Sequence, residues 1–346
     1  MLIPQKVMLL FGNVFVLWLL INTFITDSFG IALVLSAIII GGIQYVRIPP
    51  VHHSKISESI EALFKVDQAN HIKSTIFHKA GGYHAPENTL EAIQKAISLG
   101  IPAVEIDLEI TSDGVGVLLH GPDLDATTGG HGRISKLTYE YIKSLNAAAN
   151  DPNKDKYPSV RVPTIDECLR LCVENNLVVF IDCKSDAQRT AKMITHLYQK
   201  YPALYGLGVV CSFYPHLIYS VRQADSNIVT GVTHRSFYIT LAGEDGVERN
   251  KELWKRILAP FADAVLDWAH TFLIWFLCGN SFFLCSKNKI SRDLKSFYEN
   301  LGVRLVAWTV NEPVEKRWML DHLGIPVITD GLNMPSAIPG QSEKTP

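Results

Sequence analysis

AVEIDLEI, residues 103–110, is the stretch that decides the fold, because apolar and acidic residues alternate along its whole length. A period of two is typical of a β-strand, in which successive side chains point to opposite faces. The apolar residues would share one face, and the acidic ones, Glu105 and Asp107 among them, the other. The run VVFIDCK, residues 178–184, has the same character, with Asp182 near its end. We therefore expect two buried strands that direct carboxylates toward one site.

Working outward from these runs, short β-rich segments alternate with helical patterns over residues 74–335. A representative helix is predicted over residues 164–175, with Thr164 as its N-cap. Repeated strand–helix units predict parallel strands in a wound or closed α/β fold. The predicted strands are Ser74–His78, Ala103–Ile110, Val115–His120, Val178–Lys184, Val209–Ser212, Ile228–Thr233, Phe282–Cys285, Arg304–Thr309 and Val327–Thr329.

Polar residues fall at or near the carboxyl ends of these strands, where a TIM (β/α)8 barrel builds its active site. An open doubly wound sheet also binds ligands at strand ends. Polar groups from at least five strands favour the closed barrel, and the sequence lacks a G-x-G-x-x-G phosphate fingerprint. The residues concerned are His78, Glu105, Asp107, His120, Asp182, Lys184 and Trp308.

Three carboxylates without a cysteine among them predict a site for a hard divalent cation, Mg²⁺ or Ca²⁺. Glu105 and Asp107 lie on one face of one strand, and Asp182 lies on another apolar strand. Carboxylates in buried strands are costly unless they are paired or bound to metal. The alternative, which the residues leave open, is ordinary solvated surface charge.

Two histidines and two lysines accompany these acids at the same predicted rim. His78 and His120 end predicted strands, and histidine is the natural general acid or base near neutral pH. Zinc ligation by the histidine pair is a competing interpretation. Lys79 and Lys184 add positive charge, so the set as a whole suits an anionic phosphate ester.

The motifs and their order resemble those of the glycerophosphodiester phosphodiesterases over about residues 74–331. The resemblance is carried by His78-Lys79-Ala80-Gly81, Ala85-Pro86-Glu87-Asn88-Thr89, Glu105-Ile106-Asp107, Thr111-Ser112-Asp113-Gly114, His120, Thr127-Thr128, Asp182-Cys183-Lys184 and Trp308-Thr309-Val310-Asn311. The apolar N-terminus and Leu266-Asp267-Trp268 look most like the membrane-integral animal type 1 branch.

This resemblance implies a TIM barrel that uses Mg²⁺ or a similar cation to cleave glycerophosphodiesters into glycerol 3-phosphate and an alcohol. The membrane branch implies substrates such as glycerophosphoinositol and glycerophospho-N-acylethanolamines. Carried over residue by residue, Glu105, Asp107 and Asp182 would ligate the metal, and His78 and His120 would be the acid–base pair. Lys79 and Lys184 would contact phosphate, and Trp308 would line the glycerol or leaving-group side, unless it merely fills the barrel.

Three positions depart from the family pattern. Lys79 stands where the family usually has arginine, so charge is kept but the bidentate fork is lost. Gly121 follows His120 in place of an aspartate, and Ala126 replaces an arginine before the Thr-Thr pair. Two alternatives to the phosphodiesterase therefore stay open: a weakened or inactive barrel that binds lipid headgroups, and another metal-dependent phosphodiesterase of the phosphoinositide type.

Residues 7–25 and 31–46 are two uncharged apolar runs separated by a turn that contains Asp27. Their length and composition predict a transmembrane hairpin or anchor, against the alternative of a cleaved signal peptide. We expect an integral protein of an endomembrane or the plasma membrane, with the side of the catalytic domain left open. The predicted parts are membrane segments within 1–47, a connector over 48–73, the barrel over 74–335 and a tail over 336–346.

An apolar excursion at about residues 257–285 interrupts the barrel pattern. Asp263 and Asp267 lie inside it and argue against a clean membrane span. We expect a helix followed by the strand Phe282–Cys285; the helix either packs on the barrel or lies at a membrane surface.

Composition excludes several other classes of protein. Apolar residues make up 47% and charged residues 19%, which is unlike a disordered chain. The net charge of −2 shows no basic excess for nucleic acid, so the expected partners are a small glycerophosphodiester or lysophospholipid-like substrate and membrane lipid. Six cysteines without a C-x-x-C pair exclude a zinc ribbon.

Overall fold

Nine strands form one sheet in the computed structural model, which describes residues 5–152, 154–243, 246–332 and 334. They are β1 (Thr75–Phe77), β2 (Ala103–Ile110), β3 (Gly116–Leu118), β4 (Val178–Cys183), β5 (Gly208–Ser212), β6 (Thr230–His234), β7 (Phe282–Ser286), β8 (Arg304–Trp308) and β9 (Val327–Thr329). Every predicted strand is present, with bounds that differ by a few residues at most.

Eight of the nine strands close into a parallel barrel in the order β1, β2, β4, β5, β6, β7, β8, β9, and β9 returns to pair with β1. The predicted TIM barrel is therefore confirmed. The register pairs Glu105 with Phe180 and Asp107 with Asp182, so acids from β2 and β4 lie at one level.

β3 is the exception, because it runs antiparallel to β2 and lies outside the closed barrel. The repeated strand–helix units predicted parallel strands, and β3, which follows a short turn and not a helix, departs from that pattern. A tight turn through Asp113 and Gly114, with Gly114 at φ +89°, joins it to β2. A turn this short can connect only antiparallel neighbours, since a parallel crossover needs a dozen residues or more.

The predicted alternation along β2 is confirmed. Val104, Ile106 and Leu108 pack outward in the cluster shared with the surrounding helices, whereas Ala103 faces the barrel interior. The interior is filled with apolar side chains below the acids, as in a packed barrel rather than a pore. These residues are Ile76, Ala103, Val178, Phe180, Val209, Cys211, Phe282, Leu284, Val306 and Ile328.

The helix predicted over residues 164–175 is confirmed, since it runs over Ile165–Glu174. The N-cap Thr164 accepts from the amide of Glu167, whose side chain in turn accepts from the amide of Thr164, a complete capping box. The helices are α1 (Gln5–Phe24), α2 (Phe29–Val46), α3 (Glu58–Ala62), α4 (Leu90–Ser98), α5 (Tyr139–Ile142), α6 (Ile165–Glu174), α7 (Ala187–Lys200), α8 (Leu204–Leu207), α9 (Pro215–Ala224), α10 (Leu253–Ala269), α11 (Trp275–Cys278), α12 (Arg292–Leu301) and α13 (Pro313–Arg317).

The connector over residues 48–73 closes the amino-terminal end of the barrel. Ile60 of α3 and the following Leu63 are fully buried and join the cluster of interior side chains. That cluster contains the first residues of several strands, such as Ala103 and Val178, which locates the contact at the bottom of the barrel.

The two N-terminal apolar runs form the helices α1 and α2, which pack against each other. Phe29–Val46 is long and apolar enough to cross a membrane, and Val14–Phe24 is a shorter apolar segment. The Arg47 guanidinium lies 4.1 Å from the centre of the Phe276 ring, and the Ile48 amide donates to the carbonyl of Leu277 at 2.9 Å. The end of the pair is therefore fixed to the barrel.

The apolar excursion contains the expected helix and strand. α10 continues through a π-helical turn, His270–Ile274, into α11, and β7 follows after a glycine. Leu253–Cys278 also has the length and composition of a membrane span. Residue 335, the predicted end of the barrel domain, and the predicted tail lie outside the described residues.

Candidate active site

The three predicted metal ligands converge at the carboxyl end of the barrel. Glu105 and Asp107 point inward from β2, and Asp182 points inward from the paired position on β4. One carboxylate oxygen from each lies within 4.8 Å of the other two, and the residues are only 5%, 2% and 6% exposed. Strand alternation and register therefore suffice to assemble the cluster.

The crowding of buried carboxylates is visible in their electrostatics. Burial, followed by the neighbouring charge of Asp107, raises the pKa of Glu105 to about 7. Burial also raises the pKa of Asp182 to about 6, although the Lys184 ammonium opposes it. Burial would raise the pKa of Asp107 as well, but Lys184, His120 and Lys79 outweigh it and lower that pKa. The site thus favours an added positive charge.

The donor set fits a hard divalent cation. All three groups offer oxygen, which is what Mg²⁺ and Ca²⁺ prefer. Oδ1 of Asp182 is buried and has no hydrogen-bond partner among the described residues, so it has a lone pair to offer. Lys184 contacts Asp107 through Nζ and lies 3.2 Å from Oδ2 of Asp182, and this ammonium neutralises part of the charge.

Backbone and amide groups hold these acids in place. The Asn88 side chain donates to Oδ2 of Asp107 at 2.8 Å and accepts the Asp107 amide at 2.9 Å. The Lys79 amide donates to Oε2 of Glu105 at 2.9 Å. Asn88 and Lys79 both have positive φ angles, 57° and 48°, so the loop after β1 adopts a left-handed conformation to aim these groups inward.

His78 lies on one side of the carboxylates and is oriented by a partner near the other end of the chain. Its Nδ1 donates to Asp330 at 2.6 Å, which leaves Nε2 facing the site, 4.0 Å from Oε2 of Glu105. Asn311 donates to the second oxygen of Asp330 at 2.6 Å. Burial lowers the pKa of His78, but Asp330 and Glu105 outweigh it, so the net pKa is raised.

Sequence reasoning did not single out Asp330, although a signal was present. The residue directly follows β9 and therefore lies at a strand carboxyl end, like the residues that were selected.

His120 reaches the site from the extra strand β3. The amide of Leu119 donates to the Asp107 carbonyl at 3.3 Å, which brings the next residue to the level of the acids. Burial lowers the pKa of His120 to about 3, despite the opposing charge of Asp107. Within the described residues its ring has no hydrogen-bond partner, consistent with the missing carboxylate at position 121. The two histidines thus have opposite protonation preferences.

The three departures from the family pattern have different structural settings. The Lys79 ammonium is paired with Glu87 at 2.9 Å, and its side chain is only 9% exposed. Gly121 has a φ of +90°, so an aspartate there would be strained even though a Cβ would meet no neighbour within 4 Å. Ala126 is exposed on a short 3₁₀ turn.

Aromatic residues form one wall of the mouth. Phe213 packs edge-to-face on Trp308 with ring centres 5.4 Å apart, and stacks on Tyr238 at 5.1 Å. Trp308 is half-buried, and its Nε1 has no hydrogen-bond partner among the described residues. Tyr238 comes from the long segment after β6, which sequence reasoning did not link to the site.

Comparison with known proteins identifies the family. Residues 78–334 match the model of the glycerophosphoryl diester phosphodiesterase family. The chain is 41% identical to glycerophosphodiester phosphodiesterase 1 of Bos taurus over 259 residues, covering 75% of this chain and 78% of the relative. The human protein of the same name is 40% identical over the same length and coverage.

Solved structures share the fold. A phosphodiesterase from Oleispira antarctica, in complex with the product sn-glycerol-3-phosphate, has a TM-score of 0.59 and 20% identity, covering 78% of this chain and 95% of that one. A glycerophosphoryl diester phosphodiesterase structure from Silicibacter pomeroyi has a TM-score of 0.57 and 23% identity, covering 74% and 89%.

Proposed function

The chain belongs to the glycerophosphoryl diester phosphodiesterase family, and on that premise we propose that its barrel hydrolyses glycerophosphodiesters to glycerol 3-phosphate and an alcohol. The observation that carries this proposal is the convergence of three buried carboxylates and two histidines at one rim. The Oleispira antarctica structure, which holds sn-glycerol-3-phosphate on the same fold, supports the choice of product.

Glu105, Asp107 and Asp182 are the proposed ligands of a divalent cation, with Mg²⁺ preferred and Ca²⁺ as the alternative. When bound, such a cation draws negative charge from the phosphoryl oxygens and stabilises the transition state. Lys184 and Lys79 hold the remaining phosphate charge as point contacts, because an ammonium lacks the bidentate geometry of a guanidinium.

His78 and His120 are the proposed acid–base pair. The Asp330 carboxylate accepts from Nδ1 of His78 and favours its charged form, so Nε2 is suited to protonate the leaving alkoxide. His120 has no carboxylate hydrogen-bond partner among the described residues, and burial lowers its pKa, so its neutral ring is suited to accept a proton from the water that attacks phosphorus. In the cleavage the phosphorus–oxygen bond to the alcohol breaks, and the glycerol side keeps the phosphate.

The substrate range is proposed to include glycerophosphoinositol and glycerophospho-N-acylethanolamines. Trp308, with Phe213 packed on it, offers an aromatic surface beside the carboxylates for the glycerol or the leaving group.

Product analysis tests the proposal. Purified full-length protein is incubated with several glycerophosphodiesters, with Mg²⁺, with Ca²⁺ and with a chelator, and products are identified by phosphorus NMR. We expect glycerol 3-phosphate plus the free alcohol, and none with the chelator. A cyclic phosphate end product would instead indicate a phosphoinositide-type phosphodiesterase.

A non-catalytic binding barrel is the second candidate, and the Lys79–Glu87 ion pair favours it, because it ties up the charge that stands in for the family's arginine. Absence of any product, together with substrate binding detected by calorimetry, would support this candidate.

α1 and α2 are proposed to hold the enzyme in an endomembrane or the plasma membrane. The apolar length of α2 and its exposed large side chains support this placement. Carbonate extraction and N-terminal sequencing test it: we expect an uncleaved chain that stays with the membrane. A chain that begins after about residue 30 and is released by carbonate would establish a signal peptide instead.

A further inference from the structure

α10 presents a wide apolar face that nothing in the described structure covers. Its exposed side chains recur at helical spacing, so they share one side of the helix. They are Trp254, Ile257, Leu258, Phe261, Val265 and Trp268, each between 51% and 70% exposed. A contiguous apolar surface of this kind marks an interaction site.

The opposite face of α10 is buried and contacts the segment after β6, which contributes Tyr238 to the mouth of the barrel. Ala259 and Asp263 are 3% and 5% exposed. The Asp263 carboxylate accepts the amides of Ile239 and Thr240 at 2.8 and 2.9 Å. The adjacent Tyr238 stacks on Phe213, which packs on Trp308 at the mouth. Whatever binds the exposed face therefore lies close to the substrate entrance.

The apolar face continues toward the N-terminal helices. Phe272 lies beside Trp268, with ring centres 6.4 Å apart, and the chain that leaves α2 lies near Phe276 of α11, with Arg47 over its ring. The Ile48 amide bonds to Leu277 in the same place. The exposed face is thus continuous with the surface on which the proposed membrane anchor is seated.

Charge and composition fit a lipid surface. Residues 248–256, at the start of the helix, contain four basic and two acidic side chains, which favours anionic headgroups. Trp254 and Trp268 are the type of side chain that accumulates at membrane interfaces. Asp263 and Asp267 argue against a span, as does the attachment of one whole face to the barrel.

We propose that α10 lies in the plane of the membrane, with this apolar face in the headgroup and upper acyl region of the bilayer that holds α1 and α2. This inference rests on the proposed membrane anchor. It adds α10 as a second contact with the bilayer and gives the orientation of the helix relative to the membrane. The mouth of the barrel then opens beside the lipid surface, where substrates with acyl chains can reach it without crossing water.

Site-specific fluorescence in the full-length chain tests the inference. The six native cysteines are all buried, so Phe261→Cys adds one accessible thiol for an environment-sensitive dye. Lys95→Cys is the matched control, since Lys95 is exposed on α4, which follows β1 on the side of the barrel opposite β6. The protein is reconstituted into vesicles of phosphatidylcholine and phosphatidylserine, with and without spin-labelled lipid.

We expect lipid quenching at position 261 to exceed that at position 95 by at least about twofold, since the apolar face of an interfacial helix lies ~5–10 Å deep. Equal, solvent-like signals at both positions would overturn the inference. A dye at position 261 that is shielded but not quenched would also overturn it, by indicating a second copy or another protein. If the chain does not float with the vesicles, anchor and inference both fail, whereas an inactive enzyme leaves this readout unchanged.

A second variant links the surface to catalysis. Phe261→Asp with Val265→Asp should lower hydrolysis of a vesicle-embedded glycerophospho-N-acylethanolamine by about tenfold, because charges oppose burial in lipid. Hydrolysis of a water-soluble glycerophosphodiester should stay at the wild-type rate. An equal loss on both substrates, or no loss on either, would contradict the proposed role.

Discussion

Asp330 fixes the orientation of the His78 ring, although the two residues are 252 positions apart in the sequence. Asp330→Asn keeps the shape but removes the charge that favours the protonated imidazole. We expect kcat to fall by about 10²-fold, within the range of general acid–base catalysis, with little change in KM. The pKa of His78 should fall as well, so the alkaline limb of the pH–rate profile should move to lower pH.

Asp321→Asn is the matched control for this prediction. Asp321 contacts His71 at the same 2.6 Å distance, but away from the carboxylates. A wild-type kcat and pH profile in Asp330→Asn would remove Asp330 from the mechanism, and equal losses in both variants would indicate a general structural effect.

Cation affinity should depend on pH, because the pKa values of two of the proposed ligands, Glu105 and Asp182, are raised. In the absence of a cation the pKa of Glu105 is about 7 and that of Asp182 about 6, so both bind protons at mildly acidic pH. A cation must displace those protons. Mg²⁺ affinity should therefore rise with pH and level off only above about pH 8, where Glu105 has lost its proton, and calorimetry across this range measures it.

Glu105→Gln provides the control for the pH dependence, since it should weaken Mg²⁺ binding and remove the component of the rise nearest pH 7. An affinity that does not change with pH in the wild type would mean that these carboxylates are not the ligands.

The residues of the site differ in how far sequence predicts them. Glu105, Asp107 and Asp182 were predicted because strand alternation and position at a strand end follow from local pattern. The Lys79–Glu87 pair and the Asp330 contact were not, because they depend on loop conformation and on long-range closure of the barrel. Gly121 was interpreted as a lost carboxylate, whereas its φ of +90° gives glycine a conformational reason to be there.

At the scale of elements, α3 and the following Leu63 cover the amino-terminal end of the barrel and pack against its interior side chains. Leu63→Ala should lower the free energy of unfolding by about 2–5 kcal/mol, because it leaves a cavity in a fully buried position. Chemical denaturation measures the loss. Leu258→Ala is the control: its side chain is 55% exposed on α10, and the change should stay within about 0.5 kcal/mol.

Equal effects of the two leucine changes would show that the connector does not belong to the core. Sequence pattern could not predict this contact, because residues 48–73 mix polar and apolar side chains and nothing local indicates that the apolar ones pack against the end of the barrel. The antiparallel direction of β3 could be predicted, because the Asp113-Gly114 turn before it is a recognised hairpin signal, whereas the repeated strand–helix units alone predict parallel strands.

At the scale of the molecule, one barrel combines a polar rim with apolar surfaces that continue from one another. The rim gathers charges from β2, β4 and the loops after β1, β3 and β9, while α2 and α10 expose large apolar side chains. Barrel closure was predictable from repeated strand–helix units. The proximity of the two apolar surfaces was not, because it depends on the contact of Arg47, at the end of α2, with Phe276 of α11, which follows α10.

The central claim is that Glu105, Asp107 and Asp182 bind the cation on which cleavage depends. The most direct test measures the release of glycerol 3-phosphate by Asp107→Asn and by the wild type, with and without Mg²⁺. Glu109→Gln is the matched control, because Glu109 lies on the same strand and bonds to Ser185 outside the carboxylate cluster. We predict Mg²⁺-dependent release by the wild type and by Glu109→Gln, and a loss of at least about 10²-fold in folded Asp107→Asn. Wild-type release and unchanged Mg²⁺ dependence in Asp107→Asn would contradict the account.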